Sequence, residues 1–201
     1  LANSGSGGLN FTAEGLIDNH GVLNVENTSG NMSLWGTLKA RLKSQNNFTN
    51  TGITGSADDD VIIGLKLENW GNEITYENTG AGSLVIHEDA VLSNFSVEDG
   101  DGVHTGILNL KNSGNDGTAG GGIEINGTIN NGIISDGTIV GEDNQIIPEG
   151  QLVAGGIVNI ENNGTGVKVD SETISSQRRD DFGIEINDTA KINNYSQMNI
   201  I

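Results

Sequence analysis

The chain has 201 residues and a formal net charge of −18, from 9 Lys and Arg against 27 Asp and Glu, with no Cys. That charge argues against nucleic acid and anionic membrane as partners, and the absence of Cys removes disulfides and thiolate metal sites. Only 4% of residues are aromatic and 34% hydrophobic, while Gly numbers 31, Asn 27 and Pro one, so any core takes its volume from small branched side chains in a slim cross-section.

Taken along the chain, short alternating apolar runs recur in three styles. Ile17-Asp-Asn-His20 is followed by Gly21-Val-Leu-Asn-Val-Glu-Asn27 and by Asn31-Met-Ser-Leu-Trp-Gly-Thr37. Leu38–Leu42 is the only faintly helical or basic stretch and is too short to interpret, and Gln45-Asn-Asn-Phe48 repeats the style of Ile17–His20. After a charged stretch near 49–60 come Leu65-Lys-Leu-Glu-Asn69, Ser83-Leu-Val-Ile-His87 and Leu92-Ser-Asn-Phe95. A second stretch, 97–105, separates these from Gly106-Ile-Leu-Asn-Leu-Lys-Asn112, Gly122-Ile-Glu-Ile-Asn-Gly-Thr128 and Ile129-Asn-Asn-Gly132. Beyond 135–154 the series resumes with Gly156-Ile-Val-Asn-Ile-Glu-Asn162. Beyond 164–181 it closes with Gly183-Ile-Glu-Ile-Asn-Asp-Thr189 and Ile192-Asn-Asn-Tyr195. Ser83–Ser96 and Gly183–Ser196 align without a gap, 100 residues apart.

Alternating Val, Ile and Leu closed by Asn is the pattern of a half-buried strand ending in a turn. Helical periodicity is nearly absent. The style of Gly21–Asn27 returns with central residues Leu23, Leu65, Leu108 and Val158, spaced 42, 43 and 50 apart, so like strands stack on like strands. The expected fold is therefore all-β, a right-handed parallel β-helix spanning 1–201 as a single fragment of a larger exported protein. Loops would be inserted near 49–60, 97–105, 135–154 and 164–181. One rung cannot bury its apolar side alone, whereas stacked rungs can. Gly and Asn suit the corners because both accept left-handed backbone geometry. Asn side chains stacked from rung to rung can also bond as ladders, and the Asn of the Ile-Asn-Asn style, Asn19, Asn47, Asn94, Asn131 and Asn194, form the expected ladder.

These rungs resemble the passenger domains of bacterial autotransporters (type V secretion) and related exported adhesins. The resemblance rests on Gly-Ile/Val-Leu/Val-Asn-Ile/Leu/Val-x-Asn and on Thr189-Ala-Lys-Ile-Asn-Asn-Tyr195. It covers nearly the whole chain and concerns rung style, with no active-site motif in common. It implies a β-helix displayed at the outer membrane through a barrel domain outside this sequence.

The expected role is a non-catalytic adhesin segment that binds a host or bacterial cell-surface protein or glycan, with self-association also expected of an Asn-rich stack. Trp35, Trp70 and Tyr76 are the candidate contact aromatics. The rival is a β-helical polysaccharide lyase or hydrolase, which needs converging carboxylates on neighbouring rungs. Its only components, Arg178, Arg179, Asp180 and Asp181, lie consecutively in one stretch, where neighbours point apart. A structural stalk is the third reading. No cofactor is expected. Glu98, Asp99 and Asp101 are weak calcium candidates because closely spaced oxygens beside Gly suit a hard cation, but the full loop pattern is missing. No catalytic His, Ser or Cys arrangement is present, and no run approaches the ~18 apolar residues of a membrane span, so direct membrane insertion is not expected. The abrupt ends and the lack of a signal layout at Leu1–Gly8 suggest a piece of something longer.

Overall fold

A computed structural model describes residues 1–4, 8–51, 60–80, 82–113, 122–141, 145–163 and 184–201. Their regular structure is all strand, with no helix among the described residues. A first cycle, β1 (Ala2–Asn3), β2 (Leu9–Phe11) and β3 (Leu16–Asn19), places one strand in each of three sheets. The next three cycles repeat it with β4 (Val22–Asn27), β5 (Met32–Leu34) and β6 (Thr37–Ala40), then β7 (Gln45–Asn50), β8 (Val61–Ile63) and β9 (Lys66–Trp70), then β10 (Glu73–Asn78), β11 (Leu84–Ile86) and β12 (Val91–Phe95). A hairpin, β13 (Val97–Asp99) and β14 (Gly102–His104), intervenes before β15 (Ile107–Asn112), β16 (Ile123–Ile125) and β17 (Thr128–Asn131). A second antiparallel pair, β18 (Ile133–Ile134) and β19 (Leu152–Val153), precedes β20 (Ile157–Asn162), β21 (Ile184–Ile186), β22 (Lys191–Asn194) and β23 (Gln197–Ile200).

The first sheet orders its strands β1-β4-β7-β10-β15-β20-β23, the second β2-β5-β8-β11-β16-β21 and the third β3-β6-β9-β12-β17-β22. Every pairing within these three sheets is parallel. Parallel neighbours need a long crossover, and here the crossover consists of one strand in each of the other two sheets. The architecture is thus all-β with parallel sheets, consistent with a β-solenoid.

Strict register turns the alternation of each strand into columns. In the second sheet Leu9, Met32, Val61, Leu84, Ile123 and Ile184 lie over one another, as do Phe11, Leu34, Ile63, Ile86, Ile125 and Ile186. In the third sheet Ile17, Leu38, Leu67, Leu92, Ile129 and Ile192 do the same. The first sheet adds Val25, Phe48, Tyr76, Leu110 and Ile160. From Val25 to Ile160 the members of these columns are buried together as one core, each side chain contributing roughly 1.5–3 kcal/mol relative to exposure. Phe48 and Tyr76 stack at 4.9 Å.

Several sequence expectations need correction. Leu65–Asn69 belongs to the third sheet, because Leu67 and Asn69 pair with Leu92 and Asn94. Gln45–Phe48 belongs to the first sheet, paired with β4 and β10. Two strands absent from the expected series complete the count, β8 in the cycle of β7 and β9, and β10 in the cycle of β11 and β12. Successive rungs of the first sheet are therefore 24, 23, 28, 34, 50 and 40 residues apart, shorter at first than the 42 and 43 expected. The loop expected near 49–60 begins later, since Thr49 and Asn50 are in β7; residues 52–59 lie outside the described residues. So does the whole of the stretch expected at 164–181, with Arg178, Arg179, Asp180 and Asp181.

Candidate functional site

Asn side chains form ladders on several lines of the stack. On the third sheet, Asn69 Nδ2 donates to Asn94 Oδ1 at 2.7 Å, Asn94 to Asn131 at 3.0 Å and Asn131 to Asn194 at 2.8 Å. Each of the three donors also reaches backbone carbonyls, as Asn94 does to Gly106 and Ile157. The structure thus brings Asn94, Asn131 and Asn194 together and adds Asn69, which the sequence reading had placed elsewhere. Ala40 interrupts the line between Asn19 and Asn69. Asn72 compensates there by donating to the Ala40 carbonyl and accepting from the Ser44 amide, both at 2.9 Å. Asn19 instead donates to Asn46 Oδ1 at 2.8 Å.

A longer ladder runs through the Asn that closes the first six strands of the first sheet. Asn3 donates to Asn27, Asn27 to Asn50, Asn50 to Asn78, Asn78 to Asn112 and Asn112 to Asn162, at 2.8–3.1 Å. Asn27, Asn50, Asn78 and Asn112 are buried. Asn47 belongs to neither buried line. It is exposed on the outer face of the first sheet and donates to Asn24 at 2.9 Å, because its neighbours Asn46 and Phe48 take the inward positions of β7.

The three candidate aromatics separate. Tyr76 is fully buried in the core, and its hydroxyl is the only buried side-chain N or O among the described residues without a hydrogen-bond partner. Burial pushes its phenol well above the ordinary value. Trp70 is also buried, against Phe95 at 4.5 Å. Tyr76 is therefore not an exposed aromatic, taking an inward position in the middle of β10, whereas Trp70, at the end of β9, is covered yet lines the two clefts described below. Trp35 stays half-exposed at a corner, edge-on to His87 at 4.9 Å. It lies over Gly64, where a Cβ would overlap its ring.

Trp70 and Phe95, paired in register at the ends of β9 and β12, form the base of a second apolar cluster separate from the main core. With Val153 they are covered by Val97, Ile133, Ile139 and Ile147. The segment that supplies most of this cover, 133–155, was expected to hold a loop. It is an excursion built on the β18–β19 pair, a Val140–Ile146 bridge and a Phe95–Gly155 bridge back to the stack. Ser135 Oγ fastens it by donating to the Ile147 carbonyl at 2.8 Å.

Two clefts flank this cluster. One, of about 610 Å³, lies between the β13–β14 hairpin and the excursion and includes Leu42, Val97, Glu98 and Leu152 in its walls. The hairpin is tied to Lys43 and braced internally. Asp101 Oδ2 pairs with Lys43 Nζ at 2.7 Å, and Asp99 Oδ1 meets His104 Nε2 at 3.0 Å. Lys43 adopts a left-handed backbone, φ 66, the only described non-Gly residue to do so. The Asp101 amide donating to Asp99, with help from His104 and Lys43, holds the Asp99 carboxyl below its usual range. The calcium candidates are not gathered around a vacant centre: Asp99 and Asp101 are engaged by these groups, and Glu98 alternates to the opposite side of β13. Among the described residues no cluster of three His, Cys, Asp or Glu is arranged to hold a metal.

The other cleft, of about 380 Å³, is floored by outward side chains of the third sheet and walled by the excursion. Lys39, Glu68, Ser93 and Asn130 lie in register across its floor. Glu68 sits 3.4 Å from Lys39 Nζ and 3.7 Å from Lys66 Nζ. Ile134 and Val140 form part of the wall. Asp136 folds back into its own turn, accepting from the Thr138 hydroxyl and amide, and this lowers its pKa. Sequence reasoning did not single out this floor or its wall. The available signal was the apolar pairs Ile133-Ile134 and Ile146-Ile147 inside a stretch otherwise composed like a loop.

No family model, characterised protein or solved structure matches this chain.

Proposed function

We propose that the chain is a right-handed parallel β-helical segment of an exported bacterial surface adhesin, of the autotransporter passenger type, which binds a cell-surface glycan or protein without catalysis. Handedness follows the strong preference of parallel crossovers for the right-handed path. The observation that carries the role is the lateral excursion clamped over Trp70 and Phe95, which lines two clefts on the side of an otherwise repetitive stack. Repetition supplies stiffness and reach, and departures from it on a rigid frame are where recognition concentrates. An acidic chain without Cys suits export and an extracellular setting. Anchoring would come from an outer-membrane domain outside this sequence.

The test is adhesion of the purified chain to host epithelial and bacterial cells, run beside a glycan screen that also records new reducing ends and unsaturated products. Binding without cleavage supports the reading. Cleavage of a polysaccharide overturns it in favour of an enzyme, and failure to bind any cell or glycan overturns it in favour of a stalk.

A further inference from the structure

The 380 Å³ cleft has a floor whose chemistry restricts its ligand. Lys39, Glu68, Ser93 and Asn130 stand on four successive rungs, about 4.8 Å apart as strands of a sheet are. The signs are mixed. An anion would meet Glu68 and Asp136 as well as the lysines, and a cation would meet the ammonium groups of Lys39 and Lys66 beside those two carboxylates. Such a floor favours a ligand without net charge that can donate and accept at every step.

Ser93 adds a specific opening. Its Oγ accepts from Asn130 Nδ2 at 3.4 Å, and its own proton has no acceptor among the described residues. Both side chains are nearly buried beneath the excursion, so an unused donor there lacks full access to bulk water. The wall is complementary in kind. Ile134 and Val140 remain 51% and 43% exposed, aliphatic surface facing a polar floor. A sugar ring presents hydroxyls at its rim and C–H groups on its face, which matches both sides. Spacing also discriminates. An extended peptide repeats every ~3.3 Å and drifts out of step with the rungs, whereas one pyranose with its linkage is close to a rung in length.

We propose that this cleft binds an uncharged linear glycan lying along the stacking axis, about one sugar to a rung. The inference rests on the adhesin reading and names the ligand class of that site. Lys39 and Lys66 donate to ring and hydroxyl oxygens, Glu68 accepts from hydroxyls, Ser93 donates, and the Ile134–Val140 wall covers a ring face.

Calorimetric titration of the full chain tests it, using β-1,4-linked glucose, β-1,4-linked N-acetylglucosamine and α-linked mannose oligomers, with galacturonic acid oligomers as the charged comparison. At least one neutral series binds, tightening with length up to about four sugars, the number of floor rungs. Ser93→Trp, which fills the cleft, weakens that binding at least about tenfold, while Val103→Ser, exposed on the hairpin, leaves it unchanged. Val140→Asp on the exposed wall gives the same loss and serves if Ser93→Trp does not fold. No binding of any neutral series at about 1 mM, stronger binding of the charged series, or indifference to both cleft substitutions overturns the proposal. Cell adhesion separates the two levels. Adhesion that ignores both substitutions removes the cleft and keeps the adhesin, whereas cleft binding without adhesion to any cell keeps the cleft and removes the adhesin.

Discussion

The stacked sheets and the 133–155 excursion are two solutions to the same problem of burying apolar surface. In the stack, each Leu or Ile meets its equivalent one rung away, and the polar residues among them are Asn whose amides are met by the next Asn and by backbone carbonyls. Under the excursion, unlike residues meet once: Ile133, Ile139 and Ile147 cover Trp70 and Phe95 of the third sheet. The stack gains stability by repetition and has little freedom to vary. The excursion varies freely, because only its two roots, at the β18–β19 pair and the Phe95–Gly155 bridge, must match the stack.

The sharpest way to break this contrast is truncation within a column. Leu92→Ala, in the middle of the third-sheet column, lowers unfolding free energy by about 2–5 kcal/mol, read by urea denaturation. Val103→Ala on the exposed hairpin changes it by at most about 0.5 kcal/mol. Next comes the ladder. Asn94→Ala removes one partner each from the buried amides of Asn69 and Asn131, which keep their bonds to Asn72 and Gly156, and costs about 1–3 kcal/mol. Asn47→Ala, on the exposed line, costs about 0.5 kcal/mol or less. Equal costs at the two positions would show that burial does not set the value of these amides.

These contrasts also mark what the sequence makes legible. Alternation of Ile, Leu and Val reveals strands such as Val22–Asn27 and Ile107–Asn112, because the inward positions are all aliphatic or Asn and the turn residues follow at once. The cycle length is harder to read. Asn46 occupies an inward position that is aliphatic in neighbouring rungs, so Gln45–Asn50 looks like the Ile-Asn-Asn style of another sheet. Glu73–Asn78 buries Ile74, Tyr76 and Asn78 but lacks an opening Gly and has charged outward residues at both ends. The excursion is illegible for a different reason. Its pairing is antiparallel and its cover residues recur nowhere else, so no internal repeat exposes them. Tyr76 and Trp70 mislead for related reasons: Tyr76 fills space that Val25, Leu110 and Ile160 fill on other rungs, and Trp70 is covered by Phe95 and the excursion.

Tyr76 offers a smaller, opposite effect. Its hydroxyl is buried without a partner beside Phe48, so Tyr76→Phe stabilises the chain by about 1 kcal/mol, seen as a raised urea midpoint at unchanged slope. The smallest effect is electrostatic. Arg41 donates to Asp18 through Nε at 2.7 Å and a second nitrogen at 3.2 Å, holding that carboxyl below its ordinary pKa. A depressed carboxyl contributes stability that is complete above its unfolded pKa and lost as pH falls through the folded one. Asp18→Asn therefore lowers stability by under about 1 kcal/mol at neutral pH and by nothing at about pH 2, measured as thermal midpoints across that range.

The amide lines also have a direction. In both buried lines the nitrogen of each Asn points toward the rung that follows in sequence, from Asn3 through Asn112 and from Asn69 through Asn131. On the outer face of the first sheet the arrows reverse, with Asn47, Asn159 and Asn199 reaching backward. The shaft is therefore a vectorial object, with a head and a tail distinguishable at every layer. A slice turned end for end would set nitrogen against nitrogen in the dry lines, so growth by one more layer, from whatever source, is accepted in a single sense.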